Sequence, residues 1–547
     1  MPLGSDHEGA TSYVGRIACS GLFLLLGLLF VDRAGVQTDE ALFAAPLFRP
    51  WQFFSIRIGA RDLALMNMSY NGSLKTWLYA PVFHRYPPSL LSIRIPAILL
   101  GCATIWMLWH VLLRLHSNAA AFIGCALLAT DTSFLLTTTF DWGPVALQHF
   151  LLIASMILAL RWLQQGSSLS LVASAFCCGL ALWDKAIFLW SLAGIVAAAL
   201  PFGNRLWRRI SWRAIALSGA AFCLGALPLI VYNLSPGNTL ATIRANAPAG
   251  RNLNMTELGG KASVLRATWE GSALFRYLVH DDAPSPRGPH ALVECVSFRL
   301  HSIVGDWRTN YMTLALTAAL VLLVVVWSTP ACRVALVALL AACVSWLAMA
   351  SAGGGGAAHH VVLLWPIPHL VVAVAFAETY RRFRWGKWVI VLGLSLLVGT
   401  NLLVTNQYLY QFVRNGATDS WTDAIGAVAD DLRKSDATVV VLPDWGMTDS
   451  LTALNENRPP VRVVVDSQFL ETEESPDAKA ADLQLLGDSR AAWVLHTPGH
   501  EFTEGVNNRI LRAARAAGFT PATASVYSDR YGRPILQIIR FLPVALR

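Results

Sequence analysis

Long apolar segments alternate with short polar loops through the first 404 residues of the chain. A helix needs about 20 mostly apolar residues to cross the hydrocarbon core of a bilayer. Eleven segments reach or approach this length, at roughly residues 14–31, 90–113, 118–138, 143–163, 168–183, 186–202, 213–232, 310–329, 331–350, 359–377 and 386–404. The fifth and sixth are short and abut at Asp184-Lys185, where a re-entrant pair is the alternative. The pattern therefore predicts a polytopic α-helical membrane protein with about eleven transmembrane helices.

Composition supports this fold class. Of the 547 residues, 55% are hydrophobic and only 14% are charged, and the mean hydropathy is +0.49. Soluble domains usually carry about 25% charged residues. The net charge of +8 comes from basic residues in short loops between apolar segments, a pattern that orients membrane proteins. We therefore expect the protein to contact a lipid bilayer and to bind no nucleic acid.

The basic residues also predict the orientation. Every second loop is basic, and eleven Lys or Arg residues stand there beside one acid, Glu378: Arg114, Arg161, Arg205, Arg208, Arg209, Arg213, Arg333, Arg381, Arg382, Arg384 and Lys387. Lys and Arg in short loops mark the cytoplasmic side. The N-terminus is thus predicted to be cytoplasmic, in the inner (plasma) membrane. No small-residue cleavage site follows the first apolar segment, so it is predicted to be a retained helix.

Three outer regions are too long to be simple turns. Residues 32–89 mix aromatic residues with Arg, as in RPWQFFSIRIGARDLALM, which predicts helices lying flat in the interface. Residues 233–308 form a second, polar loop, and residues 405–547 are long enough to be a domain. We therefore divide the chain into a membrane domain (1–404) and an outer domain (405–547), which is periplasmic in a Gram-negative cell.

The outer domain alternates between helical and strand patterns. SWTDAIGAVADDLRKS and NNRILRAARAAG have helical spacing, whereas ATVVVLPDWG, PPVRVVVD, AAWVLHT and PILQIIRF are typical of strands. The alternation predicts a small α/β domain. Asp444 follows the first of these strands and is expected to cap a helix.

Two adjacent acids, Asp39 and Glu40, follow the first apolar segment on the outer side. A pair in this place is either a solvated or helix-capping feature or a catalytic one. A carboxylate at the membrane surface is suited to accept a proton from a hydroxyl nucleophile. Asp141 lies at the outer end of the third segment, where it either caps the helix that begins at Gly143-Pro144 or converges on Asp39.

Candidate cations and histidines lie on the same side. Lys75, in the stretch Tyr70-Asn71-Gly72-Ser73-Leu74-Lys75, either snorkels to headgroups or contacts a phosphate. Asp184-Lys185 is either a mutual ion pair or a functional pair, since ionisable groups are costly at membrane depth. His359-His360 follows four glycines and could donate to a phosphate or hold a metal, although no third ligand has recognisable spacing.

Several of these stretches resemble one group of membrane enzymes. Thr38-Asp39-Glu40-Ala41, YNGSLKTWLYAPVF, SIRIPAILLGCATIWMLWHVLLRL and LLATDTSFLLTTTFDWGPVALQ are similar to the first outer loop and the second and third spans of GT-C fold glycosyltransferases. The chain resembles family-39 protein O-mannosyltransferases and the aminoarabinose and rhizobial lipopolysaccharide core transferases. The resemblance covers residues 15–200 well and extends weakly to about 404.

The resemblance implies a reaction and its residues. It implies transfer of a hexosyl or pentosyl unit from a polyprenyl-phosphate-sugar donor to a lipid, glycan or protein acceptor, with inversion, outside the cytoplasmic membrane. Asp39 would be the general base, Glu40 would orient the acceptor or a neighbouring residue, and Asp141 would be a second loop acid. Lys75 and Lys185 carry over as lipid-phosphate contacts, which Tyr70, His359 and His360 would join. The Glu-Lys-Pro-Pro form of some relatives is absent, because Ser73-Leu74-Lys75-Thr76 stands there. No metal or acceptor role tied to that glutamate therefore carries over, and a divalent metal stays an open alternative.

Two other functions compete with this hypothesis. A transporter or flippase of polyprenyl-linked sugars should carry ionisable residues at mid-membrane on several spans. A catalytically inactive envelope scaffold should have Asp39 and Asp141 far apart or buried in ion pairs.

Overall fold

The structure is a computed structural model that describes residues 10–59, 61–142, 145–235, 239, 241–242, 255–352, 355–384, 386–464 and 476–544. Gly143 and Pro144 lie outside these ranges, as do Gly353 and Gly354 of the four-glycine stretch.

Each of the eleven predicted apolar segments falls on helix. The helices are Ala10–Leu28, Leu90–Leu115, Asn118–Thr130 with Thr132–Thr139, Ala146–Gln165, Ser168–Asp184, Leu189–Ala199, Trp212–Gly225 with Leu227–Asn233, Met312–Val325, Pro330–Ser351, Ala358–Val361 with Ile367–Arg382, and Gly386–Asn415. Within the described residues, four helices are long and apolar enough to cross a membrane, or seven if each bent pair is one span. The others are shorter apolar helices. A membrane protein of helices is confirmed, and the count of eleven spans stays a prediction.

Three of the predicted continuous segments are broken. The third bends by 59° between Thr130 and Thr132, the seventh by 69° and the tenth by 44°. At the first break, Asp131 adopts an extended backbone and its Oδ1 accepts a hydrogen bond from the N–H of Phe134 at 2.7 Å. Asp131 thus caps a new helix inside an apolar run, which hydropathy alone does not reveal.

The first outer loop contains a β-hairpin. Strands β1 (Phe54–Ile58) and β2 (Arg61–Met66) pair antiparallel, so the prediction of flat helices is wrong for this segment. Apolar residues and Arg alternate along β1, and that period of two places them on opposite faces of a strand. The short helix Thr38–Ala41 precedes the hairpin, and the helix Leu74–Arg85 follows it. The second outer loop holds the helices Met255–Trp269, Phe275–Leu278 and Leu292–Val304.

The predicted strands and helices of the outer domain are present. Strands β3 (Val439–Leu442), β4 (Val461–Val463), β5 (Ala491–His496), β6 (Phe519–Ser528) and β7 (Pro534–Pro543) form one sheet in the order β4-β3-β5-β7-β6. β3 is parallel to both β4 and β5, and β7 is antiparallel to β5 and β6. The domain is thus an α/β sheet domain with one strand, β6, beyond those predicted.

Helices cover both faces of this sheet. Ala424–Lys434 and Thr448–Leu454 pack on one face through Val428 and Leu451. Pro476–Gly487 and Val506–Ala516 pack on the other through Leu486 and Ile510. The helix after β3 and the helix after β5 therefore lie on opposite faces.

Candidate functional site

A short helix at the start of the first outer loop holds the two adjacent acids. Gln37 caps it: its side chain accepts the N–H of Asp39 at 2.6 Å, and Glu40 Oε1 accepts the N–H of Gln37 at 3.1 Å. This reciprocal pattern is a capping box, which fixes the first turn. The Asp39 side chain projects from a rigid turn and stays partly exposed.

Glu40 is fully buried and paired with Arg94, at the start of the second apolar helix. Arg94 donates to both oxygens of Glu40, Nη2 to Oε1 at 2.6 Å and Nε to Oε2 at 3.0 Å. The same guanidinium donates to the backbone carbonyls of Val31, Ala34 and Gly35 at 2.7–2.9 Å. Bidentate pairing is among the strongest polar contacts in proteins. Glu40 therefore anchors the loop that carries Asp39.

The segment around Tyr70 docks on the break before Lys185. The N–H of Gly72 donates to the carbonyl of Asp184 at 3.0 Å, and the N–H of Ala186 donates to the carbonyl of Tyr70 at 2.9 Å. A Cβ on Gly72 would collide with the carbonyl oxygen of Trp183. Only glycine allows this approach, which brings Tyr70 and Lys185 to one place.

Asp39 faces the place where the Tyr70 segment meets residues 184–186, which is called the junction below. Trp142 donates a side-chain hydrogen bond to its carboxylate, and the positive charge of Lys185 acts on it. Burial raises the pKa of Asp39 above its ordinary value, and Lys185 and Trp142 act against this rise. Burial and the charge of Asp39 likewise raise the pKa of Tyr70. A carboxylate with a raised pKa is a stronger base than an ordinary surface aspartate.

Lys75 and Asp141 form a buried ion pair beside the junction. The Lys75 ammonium contacts Asp141 Oδ2 and lies 4.6 Å from the ring centre of Phe43 and 5.0 Å from that of Tyr79. The other oxygen of Asp141 accepts the N–H of Ala146 at 3.2 Å. Asp141 has a left-handed backbone, with φ of 43°. Asp141 is therefore both the helix-terminal acceptor and the partner of a loop lysine, and such a left-handed non-glycine residue is typical of functional sites.

The two histidines lie on the other side of Trp142. The ring centre of His359 is 4.9 Å from that of Trp142 and 4.2 Å from that of His360. Lys185 is a charged neighbour of both imidazoles. The Nδ1 atoms of both rings are buried and make no hydrogen bond among the described residues. Buried polar atoms are rarely left unpaired, so these two are free to bind a ligand.

The structure thus brings the predicted residues together in two groups. Asp39, Tyr70, Lys185, His359 and His360 surround Trp142 and the 184–186 break. The second group is a set of buried charges beside them: Glu40 with Arg94, and Lys75 with Asp141. In the part of the chain that the structure describes, no three His, Cys, Asp or Glu side chains come together as a metal-binding group.

Several neighbours of the site were not predicted. Arg94 is a lone Arg near the start of an apolar helix, and such an isolated charge is the sequence feature that could have identified it as part of the site. Trp142 carries no such signal, because aromatic residues are common at both membrane surfaces.

Asp131 and His369 form a fully buried pair at 3.1 Å between two bent helices. The transporter hypothesis predicts ionisable residues within the apolar segments, and this pair is of that kind.

The outer domain contacts the loop that carries Asp39. Arg49 Nη2 donates to Asp449 Oδ1 at 2.7 Å, and the N–H of Asp449 donates to Thr38 Oγ1 at 3.2 Å. The charge of Asp39 also acts on Asp449. The helix Thr448–Leu454 thus packs on the turn of the candidate base. The prediction that Asp444 caps a helix is wrong, because the helix that follows it has no side-chain cap and Asp444 accepts hydrogen bonds from the N–H groups of Trp445 and Phe502 instead.

A second contact joins the outer domain to the second outer loop. Asp419 accepts from His280 Nε2 at 3.1 Å and from His500 Nδ1 at 2.7 Å. Burial acts to raise the pKa of Asp419, but these two hydrogen bonds outweigh burial and lower it to about 2. Because this value is below the ordinary pKa of about 3.9, the stabilisation is present above about pH 4 and is lost as the pH falls towards 2.

Asp419→Asn is expected to loosen the outer domain. Hydrogen bonds to a charged group contribute about 1.5–3 kcal/mol each, and this change weakens two of them. We expect faster cleavage by added protease at pH 7 between Asn415 and Ala424, where the last apolar helix joins the outer domain, and a smaller gain in stability between pH 2 and 4. Asp430→Asn, which removes an exposed pair with Arg433 in the same domain, is the control and should behave as wild type. Equal cleavage of both variants would contradict the prediction.

Known structures with a similar fold were found, although no protein-family profile and no curated protein sequence match the chain. ArnT from Cupriavidus metallidurans in the apo state aligns with a TM-score of 0.56 and 13% identity, over 97% of this chain and 98% of ArnT. ArnT bound to undecaprenyl phosphate gives a TM-score of 0.54 with the same identity and coverage. The Archaeoglobus fulgidus oligosaccharyltransferase gives 0.46 at 12% identity, over 99% of this chain and 77% of the other. The chain therefore has the fold of ArnT, and the expected GT-C fold is confirmed.

Proposed function

We propose that this protein is an integral-membrane glycosyltransferase that moves a sugar from a polyprenyl-phosphate-sugar donor to an acceptor hydroxyl. The observation that carries the proposal is the partly exposed Asp39 beside Lys185 and two histidines with unpaired Nδ1 atoms. A base and a set of phosphate-binding groups are what such a transfer needs. The fold supports the proposal, since ArnT was solved with undecaprenyl phosphate bound.

The reaction is a single displacement. Asp39 accepts the proton of the acceptor hydroxyl as its oxygen bonds to the anomeric carbon of the sugar. The bond between that carbon and the phosphate oxygen breaks on the opposite side, so the configuration inverts. The bonding electrons leave with the phosphate, and the polyprenyl phosphate is the second product. General-base help contributes about 10²–10⁴-fold in rate.

The leaving phosphate gains negative charge as this bond breaks. Lys185 would neutralise this charge and His359 and His360 would donate hydrogen bonds to it, because fixed cations and donors in a water-poor site are effective at this task. Tyr70 closes the same junction. Lys75 would join them by exchanging Asp141 for a phosphate oxygen, while Asp141 and Glu40 hold the loops in place.

In this proposal the reaction takes place on the outer face of the inner membrane. The isoprenoid chain of the donor stays in the bilayer, so its phosphate lies at the interface. The predicted cytoplasmic N-terminus puts Asp39, Lys75 and Lys185 on the outer side. The sugar is a hexose or pentose, and the acceptor is a lipid, glycan or protein hydroxyl.

Transfer of a radiolabelled sugar tests the proposal directly. Purified protein is incubated with a short-chain polyprenyl-phosphate donor and an extract of envelope glycans and lipids. We expect label to move from the donor to the extract and free polyprenyl phosphate to appear in equal amount. No transfer with any hexosyl or pentosyl donor would contradict the proposal.

Transport of polyprenyl-linked sugars is the second candidate. The buried Asp131–His369 pair favours it, because intramembrane ionisable residues often mark transport paths. Transport predicts movement of an intact donor across sealed vesicles without cleavage of the sugar–phosphate bond. The free polyprenyl phosphate released in the transfer assay separates the two functions.

Replacing the histidines should weaken donor use selectively. Because neither Nδ1 has a partner among the described residues, His359→Ala and His360→Ala break no hydrogen bond at that atom. Loss of one hydrogen bond to a charged ligand costs about 1.5–3 kcal/mol, so we expect the donor KM to rise about 10–100-fold in each. The acceptor KM should stay within a factor of about two.

His84→Ala is the control for both histidine variants. This histidine lies in the last turn of Leu74–Arg85, on the same side of the membrane and away from the junction. Its donor KM should match wild type. An unchanged donor KM in His359→Ala and His360→Ala would exclude these residues as phosphate contacts.

A further inference from the structure

A crevice opens at one edge of the outer-domain sheet. The helix after β3 lies on one face of the sheet and the helix after β5 lies on the other, although these two strands are neighbours. The loops that leave the ends of β3 and β5 therefore diverge. In open α/β sheets, ligands bind in the crevice at such a point, outside the carboxyl ends of the strands.

The crevice contains a cavity of about 270 Å³. Trp445, from the loop after β3, and Phe502, from the loop after β5, lie on it with their ring centres 4.4 Å apart. Both rings are open to solvent, with exposed fractions of 46% for Trp445 and 61% for Phe502. Two exposed aromatic rings side by side at a cavity are typical of a binding surface.

A buried carboxylate holds these two loops together. Asp444 accepts from the N–H groups of Trp445 at 2.8 Å, Phe502 at 2.9 Å and Thr503 at 3.1 Å, and from His496 Nδ1 at 2.7 Å. Burial acts to raise the pKa of Asp444, but His496 and the backbone donors hold it below its ordinary value. The aromatic pair is therefore preorganised.

The chemistry of the lining selects the ligand. Asp419, Glu501, His496 and His500 supply hydrogen-bonding groups, and none of the described lining residues is Lys or Arg. Carboxylates without cations repel phosphates, and an isoprenoid chain would leave these polar groups unpaired. A pyranose ring fits both features, because its C–H face is apolar and its hydroxyls are donors and acceptors. At about 270 Å³ the cavity lies just below the range of about 300–1,000 Å³ usual for small-molecule pockets, so it suits a single sugar ring.

The cavity also adjoins the candidate base. Gln37 lines it, and the same side chain accepts the N–H of Asp39 at 2.6 Å. A ligand in the crevice thus lies beside the turn from which Asp39 projects.

We propose that this crevice binds a neutral or amino sugar of the acceptor and presents a neighbouring hydroxyl to Asp39. The inference rests on the proposed function and names the acceptor class as a glycan or glycolipid. It assigns the recognition of the acceptor to Trp445 and Phe502.

Saturation-transfer NMR on the full chain in lipid nanodiscs tests binding without catalysis. The probes are the methyl pyranosides of glucose, galactose, mannose and N-acetylglucosamine. Wild type and Asp39→Asn are expected to saturate the C–H protons of at least one probe, and Trp445→Ala and Phe502→Ala to lose most of that signal. The control is Trp51→Ala, another outer-side tryptophan that is 63% exposed, which should keep it. No signal with any probe in wild type, or equal signals in Trp445→Ala, would overturn the inference.

Transfer kinetics separate this inference from the proposed function. In Trp445→Ala we expect the acceptor KM to rise at least about tenfold, with kcat and the donor KM within a factor of about two. A fall in kcat with an unchanged acceptor KM would overturn the inference but leave the transferase proposal standing. If wild type transfers no sugar at all, the proposed function fails, and the NMR result still decides whether the crevice binds sugars.

Discussion

Asp39→Asn is expected to lower turnover at least about a hundredfold while the protein still folds and inserts. The amide keeps the shape of the side chain but cannot accept a proton, and general-base catalysis contributes about 10²–10⁴-fold. Gln37 bonds the backbone of residue 39 and not its side chain, so the capping box survives the change. The measurement is kcat for sugar transfer, with the thermal unfolding midpoint as the check on folding.

The pH dependence gives a second measurement for the same variant. Because burial raises the pKa of Asp39, the acid limb of kcat/KM in wild type should lie above the ordinary aspartate pKa of about 3.9. Activity then falls as the pH drops through that raised value, and the residual activity of Asp39→Asn should lack this limb.

Asp62→Asn is the matched control for Asp39→Asn. It makes the same change in the same outer loop, at an aspartate that pairs with the exposed Arg57. Surface pairs contribute about 0–1 kcal/mol, so its turnover should match wild type. Near-normal transfer by Asp39→Asn would exclude Asp39 as the base and leave the fold assignment intact.

Among the variants described, Arg94→Met is expected to cause the largest decrease in the free energy of unfolding. It leaves the Glu40 carboxylate buried without its cation and frees the carbonyls of Val31, Ala34 and Gly35. Removing one partner of a buried ion pair costs about 3–5 kcal/mol. We expect a lower thermal midpoint in detergent, a lower yield from membranes and a fall in kcat, because the turn that carries Asp39 loses its anchor.

A double-mutant cycle isolates the pair. The variant with both Glu40→Gln and Arg94→Met should lose less stability than the sum of the two single losses, because no unpaired buried charge remains when both residues are replaced. Arg85→Met, at an exposed arginine whose charge stacks on Tyr86, is the control and should unfold as wild type does. Additive losses in the cycle would show that Glu40 and Arg94 do not act as a pair.

Much of the helical and strand content could be predicted from the sequence. The length of an apolar run and the alternation of a strand are local properties, so Leu90–Leu115 and Ala491–His496 were both expected close to their observed bounds. The hairpin of β1 and β2 was missed, because a short run of aromatic residues and Arg suits an interfacial helix as well as a strand. Only the pairing of Ile56 with Leu63 across the hairpin decides between them.

The candidate site was predictable in its residue types and not in its pairings. Asp39, Lys75, Asp141 and Lys185 all stand out as charges beside apolar runs. Nothing in their spacing indicates that Asp141 takes Lys75 as its partner or that Trp142 lies between Asp39 and His359. Those contacts join outer loops that are far apart along the chain.

The sequence by itself determined that this chain has the apolar helices of a membrane protein and that an α/β domain follows, and it predicts which loops share a side. Hydropathy, short-loop charge and the period of a strand depend only on residues close together in the sequence, so they can be predicted without knowing how the helices pack. Only the tertiary structure decided which charges are neutralised and which stay open to a ligand. A buried charge is stable only where another element brings a partner to it, and that partner is chosen by how the helices pack. Arg94 meets Glu40 in this way, whereas the histidines near Lys185 keep unpaired nitrogens among the described residues.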